Sequence, residues 1–530
     1  MTKKVSFRRR LLRRLGIGAL VAAQLAAGVA PVHAQLPGMG DGGEMTAAAE
    51  RRLGDQIARE LFRDPDYIDD PVIGDYVQGI WQRLMAVARV RGELTPELDE
   101  RFAWVVLVGR DRSINAFALP GGYLGLHLGL VAATDSADEL ATVLGHELSH
   151  VTQRHIARLM ARQGRQLPLM LAAMVLGAIA ASKSRTGDAG QAMIMGGQAL
   201  VMQNQLDFSR DMEREADRVG FGVMTQAGFA PQGAASMFEK LQYASRLNDN
   251  GSYPYLRSHP LNSERISDMQ ARFQFRDGAG ALPIATPGAT PRLPAATRLL
   301  KMDHALVAAR ARVLSRPGVD VLRMWIDAAS GGEFERRTPV QQAALLYAGA
   351  LAASELRDGR AARALADRLV TRVADDAASA RLARLLQAEI ALAAGDAPRA
   401  QQLLDARSRE RSEMLLSAQV ALALRQPAPM VAPLRDWVAT HPRDATVWRT
   451  LGNLYGAQND ALRAIRADAE SQVATLDYAA ARDRLKAAQE LVARGSASQP
   501  IDHYEASIID TRARVVDALL REQQAEPPPR

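Results

Sequence analysis

A helix that carries His146 and His150 places the strongest restriction on how this 530-residue chain folds. A capping-box pattern starts the helix at Ser136, and apolar residues at helical spacing continue to about Met160. Because residues four apart lie on one face, about one turn apart, both imidazoles can bind the same Zn²⁺ ion. Catalytic zinc sites take three protein ligands, so a second segment of the chain must converge on this helix.

A second predicted helix, residues 209–220, offers the third ligand. Glu213 and Asp217 lie four residues apart on one face, so one carboxylate can bind the metal while the other accepts the outer N–H of a ligand histidine. We predict that Glu213 is the ligand and that Asp217 makes the outer contact. Glu215 lies about 200° around the helix from Glu213 and remains the alternative ligand.

Glu147 is the predicted general base. It directly follows His146, so it lies at the edge of the metal-binding face and can reach a water molecule without being a ligand itself. There it can take a proton and later pass it to the leaving amine. Zn²⁺, one ion per chain, is the metal that two imidazoles and a carboxylate favour. The candidate catalytic residues are therefore Glu147 and Asp217.

The other histidines are predicted to be structural. His155 follows His146 by nine residues, which on one continuous helix is about 180° of rotation, so it should face away from the metal. The histidines without ligand-like neighbours in the sequence are His127, His304, His441 and His503.

Residues 115–127, just ahead of the metal helix, alternate like a β-strand that is interrupted by a Pro-Gly-Gly turn. An edge strand at this place could pair with an extended peptide through backbone hydrogen bonds and would impose little side-chain specificity. A purely structural hairpin explains the pattern equally well.

The excess positive charge lies at one end of the chain. The formal net charge is +7, and residues 1–34 hold seven lysines and arginines and no acid, so the remainder is balanced. The excess of basic residues over acidic ones therefore does not indicate a nucleic-acid partner. The basic segment, a short apolar run and Val32-His33-Ala34 together predict an export signal that is cleaved after Ala34. An uncleaved membrane anchor is the alternative. Absence of cysteine excludes a thiol nucleophile and a disulfide framework.

The second half of the chain, about 296–524, has helical periodicity almost throughout. Residues 448–455 match the W-x2-L-G-x2-Y pattern of a tetratricopeptide repeat, and the turn residues Gly359 and Gly395 are 36 positions apart. Such helical hairpins stack into a solenoid with a concave surface that typically holds other proteins. An alanine-rich helical bundle is the alternative.

The predicted fold is mainly α. An α+β metalloprotease domain (41–275) follows the signal (1–34), and a linker rich in Pro and Gly (276–295) leads to an α-helical tetratricopeptide-repeat solenoid (296–524). The strongest internal apolar run, 167–181, is short for a bilayer span and is predicted to be a buried or lid-like helix.

The motifs at 146–150 and 213–220 resemble those of the M48 metallopeptidases, which are gluzincins. Some M48 members carry tetratricopeptide repeats after the protease domain, and the resemblance to these members covers essentially all the mature chain. The resemblance implies a gluzincin-type protease domain. Residues 258–261 (Ser-His-Pro-Leu) resemble a segment of these members in which a histidine closes on the metal. The resemblance thus implies that His259 is a fourth ligand and that the resting enzyme is latent.

The resemblance also implies a function. It indicates a periplasmic zinc endopeptidase that degrades unfolded or misassembled outer-membrane β-barrel proteins and assists their assembly. The repeats would recruit substrate or the outer-membrane assembly machinery, and peripheral membrane contact is compatible with this role. The alternative is a chaperone or adaptor in which the repeats are the working surface and the zinc site is latent or structural.

Overall fold

The computed structural model describes residues 45–163, 210–246, 254–278, 296–494 and 502–525. The predicted export signal, the apolar run 167–181 and most of the predicted linker lie outside these residues. Among the described helices, none combines the length and the apolar character that crossing a membrane requires. The described chain is mainly helical with one small sheet, which confirms the predicted fold class.

Three helices open the described chain. Their first turns are capped by threonine or aspartate side chains that accept backbone N–H groups, and two of the helices have proline in the first turn. Arg63 lies in the last turn of the first helix, where a cation is favourable. The three are α1 (Ala47–Arg63), α2 (Pro71–Val90) and α3 (Pro96–Arg101).

A three-stranded sheet follows, consisting of β1 (Val105–Gly109), β2 (Ala116–Leu119) and β3 (Tyr123–His127). The central strand β3 is parallel to β1 and antiparallel to β2, so β2 is an edge strand of this sheet. The Pro-Gly-Gly turn joins β2 to β3 with both glycines at positive φ, which glycine tolerates without steric cost. The strand pair predicted at 115–127 is therefore confirmed.

The central helices are α4 (Leu128–Ala133), α5 (Ala137–Thr152) and α6 (His155–Gln163). The Ser136 side chain caps α5 by accepting from the backbone N–H of Glu139, and every residue of α5 is buried. The prediction that one helix runs to about Met160 is wrong. Helix α5 ends at Thr152, Arg154 takes a left-handed conformation with φ 53°, and α6 starts as a separate helix at His155.

Four further helices complete the first part of the fold; the first two pack against α5, and the last packs against these two. They are α7 (Arg210–Gln226), α8 (Pro231–Arg246), α9 (Tyr255–Ser258) and α10 (Ser263–Gly278).

The rest of the described chain is helical, and its helices pack mainly against neighbours in sequence. Several turns share one local solution, in which a residue at positive φ ends a helix and the next residue, an aspartate, caps the following helix. The helices are α11 (Ala296–Leu314), α12 (Val319–Ala328), α13 (Pro339–Glu355), α14 (Gly359–Arg372), α15 (Ala377–Ala393), α16 (Ala397–Leu403), α17 (Arg411–Ala423), α18 (Ala428–Thr440), α19 (Ala445–Ala457), α20 (Ala461–Ala474), α21 (Tyr478–Arg494) and α22 (His503–Ala525). The repeated turn supports helical hairpins, and their assignment to tetratricopeptide repeats stays a prediction.

Arg310 on α11 connects the two predicted domains. Its buried guanidinium donates to both carboxylate oxygens of Asp70 at 2.8 and 2.7 Å and to those of Glu389 at 2.8 and 2.9 Å. Asp70 caps α2, and Glu389 lies on α15. One hydrophobic cluster also includes residues from both sides of the predicted boundary, which itself stays a prediction.

Candidate metal centre

Helices α5 and α7 touch through their backbones at Gly145 and Gly220. A Cβ atom at Gly220 would lie 2.9 Å from the backbone of Gly145, which is closer than real Cβ contacts allow. Because neither position carries a side chain, the two helices approach closely enough for carboxylates on α7 to reach the face of α5 that carries His146.

Four buried side chains meet at this crossing: His146 and His150 from α5, Glu213 from α7, and His259 from the turn after α9. His146 Nε2 lies 3.0 Å from His150 Nε2 and 3.3 Å from His259 Nδ1. Glu213 Oε1 lies 3.4 Å from His150 Nε2 and 3.0 Å from His259 Nδ1. The structure thus brings the four predicted ligands together, and their role as metal ligands stays a prediction.

These separations fit a metal ion. Tetrahedral coordination with metal–nitrogen bonds of about 2.0–2.1 Å places neighbouring ligand atoms about 3.3 Å apart. Ligand-type nitrogens of three imidazoles converge together with a carboxylate, a donor set that suits Zn²⁺. Glu147 Oε1 is a second indication of a bound ligand, because it is buried and makes no hydrogen bond with any described residue. Burying a carboxylate oxygen without a hydrogen bond is costly unless a ligand supplies the missing interaction.

Asp217 and Arg265 surround the ligands. Asp217 Oδ1 lies 3.0 Å from His146 Nδ1, the outer nitrogen of that imidazole. Arg265 from α10 donates to both oxygens of Asp217 at 2.7 and 2.9 Å, and its Nη1 lies 2.8 Å from Glu213 Oε2. No sequence pattern indicates a role for Arg265, because only the packing of α10 against α7 shows that its guanidinium spans two carboxylates of the site.

The charges of the site follow from these contacts. Burial raises the pKa of the Asp217 carboxyl, but its hydrogen bonds to Arg265 and His146 outweigh burial and lower that pKa overall. Burial lowers the pKa of His146, while hydrogen bonds to Asp217 and Glu213 reverse the effect and raise its pKa to about 10. The carboxylates thus give the site a strong preference for positive charge, which a divalent cation would supply.

His155 occupies a position that sequence analysis did not foresee. Its Nδ1 lies 2.9 Å from the Nδ1 atom of His150, and its Nε2 lies 3.0 Å from Glu215 Oε2. The prediction that His155 faces away from the site is therefore wrong, since the helix ends before the left-handed Arg154 and His155 begins a separate helix. Glu215, the alternative ligand, contacts His155 instead of the four-residue cluster.

Glu147 lies between the edge strand and the ligands. Its Oε2 accepts the backbone N–H of Ala118 on β2 at 2.8 Å, while Oε1 lies 3.5 Å from His259 Nε2. Complete burial raises the pKa of the Glu147 carboxyl. A carboxylate with one oxygen anchored and a raised pKa suits a group that takes up and releases a proton.

The turn that carries His259 is fixed from three sides. The Tyr255 ring stacks on the His259 ring with centroids 4.7 Å apart, and the backbone N–H of Tyr255 donates to Ile114 O at 3.4 Å. Arg265 donates to Pro260 O at 2.8 Å. We call residues 255–260 the latch, because they hold His259 against the other three side chains of the cluster.

The other histidines in the described part of the chain are not members of this cluster. His127 contacts Ser113 Oγ at 2.9 Å, and His304 contacts Tyr76 Oη at 2.8 Å. His441 stacks on Trp437, and His503 is exposed at the start of α22. These contacts agree with structural roles.

Comparison with known proteins identifies the domain that holds the centre. Residues 76–273 match peptidase family M48, a range that includes all four clustered side chains. This part of the chain is therefore an M48 metallopeptidase domain.

Three relatives show how much of the chain is similar to known proteins. The chain is 34% identical over 273 residues to the "Beta-barrel assembly-enhancing protease" of Escherichia coli strain K12, covering 50% of this chain and 53% of that protein. It is 36% identical over 247 residues to the protein of the same name from Yersinia pestis, covering 46% and 48%. It is 33% identical over 168 residues to "Mitochondrial metalloendopeptidase OMA1" of Arabidopsis thaliana, covering 31% of each. The chain thus matches about half the length of the bacterial relatives.

Proposed function

We propose that this protein is a zinc-dependent endopeptidase of the periplasm that degrades misassembled outer-membrane proteins and assists their assembly. The observation that carries the proposal is the convergence of His146, His150 and Glu213, with Glu147 Oε1, which is buried and makes no hydrogen bond with a described residue, beside them. A purely structural metal site has no need of a buried carboxylate oxygen that lacks a hydrogen bond next to its ligands.

The residues of the site divide the work of hydrolysis. When bound, zinc supplies a Lewis acid that polarises a carbonyl and acidifies water. Glu147 takes the proton of the attacking water on Oε1, because Oε2 is held by Ala118 N–H, and then passes the proton to the leaving amine. Asp217 accepts from His146 Nδ1 and so keeps the lone pair of Nε2 directed at the metal position.

The edge strand β2 is suited to hold an extended peptide. Asn115 O accepts from His127 N at 3.0 Å, so the polar groups of alternate residues from 115 point toward β3. The polar groups of Ile114, Ala116 and Ala118 therefore point to the other side, as the contact from Ala118 N–H to Glu147 illustrates. A substrate strand beside β2 would bring its backbone next to Glu147.

The substrate class is inferred from chemistry and from the relatives. Unassembled β-barrel proteins present extended segments of alternating polarity, which suit backbone pairing with little demand on side chains. Two bacterial relatives are named as β-barrel assembly-enhancing proteases. The helical second half offers a surface for such clients or for the outer-membrane assembly machinery.

Metal analysis tests the centre directly. Protein purified without chelators is expected to contain one zinc ion per chain, as measured by inductively coupled plasma mass spectrometry. His146→Ala and Glu213→Ala should lose most of this zinc, because each removes one donor from a site whose other ligands are already fixed. His503→Ala, which changes an exposed histidine, should retain it. Full zinc occupancy in both ligand variants would contradict the assignment.

The latch makes the resting site closed. His259 Nδ1 lies within 3.3 Å of His146 Nε2 and 3.0 Å of Glu213 Oε1, where it fills the position that a catalytic site keeps for water. Tyr255 N–H also contacts Ile114 O, one of the outward-facing groups at the edge of β2. The latch therefore covers both the hydrolytic position and part of the peptide-binding edge.

His259→Ala is expected to increase hydrolysis of an unfolded β-barrel protein. If the open form is about 1–10% of the resting population, removal of His259 should raise the initial rate about 10- to 100-fold. Initial rates of substrate loss on gels would measure the effect, with zinc content determined in parallel. An unchanged or lower rate in a variant that keeps its zinc would show that the latch does not limit activity.

The alternative function is a chaperone or adaptor with a latent or structural zinc site. The observation in its favour is that four buried protein side chains surround the metal position, as in closed structural zinc sites. Loss of Glu147 separates the two functions, because an adaptor does not use a base.

A further inference from the structure

His150 has an unusual partner for its outer nitrogen. Ligand histidines in zinc proteins ordinarily donate that N–H to a carboxylate, a backbone carbonyl or water. His146 follows this rule through Asp217. His150 Nδ1 instead lies 2.9 Å from a nitrogen of His155, and both rings are completely buried.

The positions of the protons follow from the chain of contacts. Glu215 Oε2 lies 3.0 Å from His155 Nε2, and because a carboxylate only accepts, that nitrogen carries the hydrogen. In a neutral imidazole the other nitrogen is then an acceptor, so His155 Nδ1 accepts from His150 Nδ1–H. The lone pair of His150 is thereby placed on Nε2, the atom that lies 3.4 Å from Glu213 Oε1 in the cluster.

We propose that His155 is a positioning residue for the metal ligand His150, and that Glu215 acts through His155 to set the tautomer of His150. The proposal rests on the zinc site of the proposed function. The two flanks of the site then use different chemistry: a carboxylate orients His146, and a carboxylate acting through a second imidazole orients His150.

The same contacts connect α5, which carries His150, to α7, which carries Glu213, through His155 on α6. Glu215 lies on α7, two residues after the ligand Glu213, and also accepts from Arg158 on α6 at 2.8 Å. Any shift of α7 relative to α6 therefore changes the orientation of His150 as well as the place of Glu213. The relay makes ligand geometry depend on the break at Arg154, since a continuous helix would carry His155 away.

A pair of substitutions at His155 separates positioning from packing. His155→Leu introduces an apolar side chain of similar volume and removes the acceptor. His155→Asn instead places an amide oxygen near the position of Nδ1. We expect His155→Leu to weaken Zn²⁺ binding about 10- to 100-fold, as loss of such partners usually does, and His155→Asn to stay within about fivefold of the parent. Competition with a chelating indicator measures the affinities of the full-length protein.

The visible spectrum of the Co²⁺-substituted protein gives a second measurement. We expect His155→Leu to change band positions and intensities, which report ligand geometry, and His155→Asn to restore them. Glu215→Gln tests the relay without removing the side chain from its partly exposed position, because its amide can donate as well as accept and no longer dictates the tautomer. Its zinc affinity should fall between those of the parent and His155→Leu. This variant keeps the test valid if His155→Leu does not fold.

Two controls complete the experiment. His503→Ala should bind both metals like the parent. His146→Ala should lose metal, and if it does not, the proposed zinc site itself is wrong. If His146→Ala loses metal while His155→Leu and Glu215→Gln keep the affinity and spectrum of the parent, only the positioning role of His155 is overturned.

Discussion

Glu147→Gln is expected to reduce hydrolysis of an unfolded β-barrel protein by at least about 10²–10⁴-fold while zinc content stays at one ion per chain. Glutamine keeps the size of the side chain and can still accept the backbone N–H of Ala118. It cannot take up the proton of the attacking water, so only the base is lost. Single-turnover cleavage, followed on gels, measures the rate.

The matched control is Glu97→Gln, which removes an exposed carboxylate on α3 and should leave the rate unchanged. The same variants should be tested for their ability to prevent aggregation of the unfolded substrate. Proteolysis and cellular function that both survive Glu147→Gln would reject the endopeptidase and favour the adaptor. Loss of proteolysis alone would show which of the two activities the cell requires.

Arg310→Met is expected to lower the free energy of unfolding by about 3–5 kcal/mol. Methionine fills much of the space of the aliphatic stem but leaves the nearly buried carboxylate of Asp70 and the partly buried carboxylate of Glu389 without their shared cation. Breaking a buried ion network by removing one partner is strongly destabilising, whereas exposed pairs contribute little. Urea unfolding followed by circular dichroism measures the change.

Arg336→Met serves as the control, because Arg336 is exposed and, within the described part of the chain, forms its ion pair with neighbouring Glu333; its effect should stay within about 0.5 kcal/mol. Adding Asp70→Asn and Glu389→Gln to Arg310→Met should recover part of the stability, since asparagine still caps α2 and no buried charge remains. A loss below about 1 kcal/mol for Arg310→Met would mean that water screens the network more than its burial indicates.

The sequence was sufficient to predict the parts of the site that depend on helical spacing. His146 and His150 share a face of α5, and Glu213 and Asp217 share a face of α7, because residues four apart always do. The hairpin ahead of α5 was predictable from alternation and the Pro-Gly-Gly turn. These features are local, so no knowledge of tertiary contacts was needed.

The position of His155 was not predictable in this way, because the helix break depends on contacts that are distant in sequence. The Arg154 side chain reaches Glu50 at 3.1 Å and the carbonyl of Met45, near the start of α1. These contacts support the left-handed conformation of Arg154, which no local pattern announces. The available signal was a histidine following the motif together with Glu215, a carboxylate two positions after the expected ligand.

His259 and Arg265 show the same limit in another form. Resemblance suggested His259, but the contacts of Arg265 with Asp217, Glu213 and Pro260 required the packing of α10. A guanidinium that bridges carboxylates on another helix has no sequence period, so only the folded chain reveals it.

The double coverage by the latch has a consequence for selectivity. A substrate of the proposed endopeptidase would enter an open cleft without breaking any contact of the protein. In this structure it would have to displace both His259 and the contact between Tyr255 and Ile114. A short peptide gains few backbone hydrogen bonds with which to offset that loss, whereas a long unstructured polypeptide gains many. Under this arrangement, the length of exposed extended chain would determine which proteins are cut, and correctly assembled barrels, whose strands are all paired, would be spared.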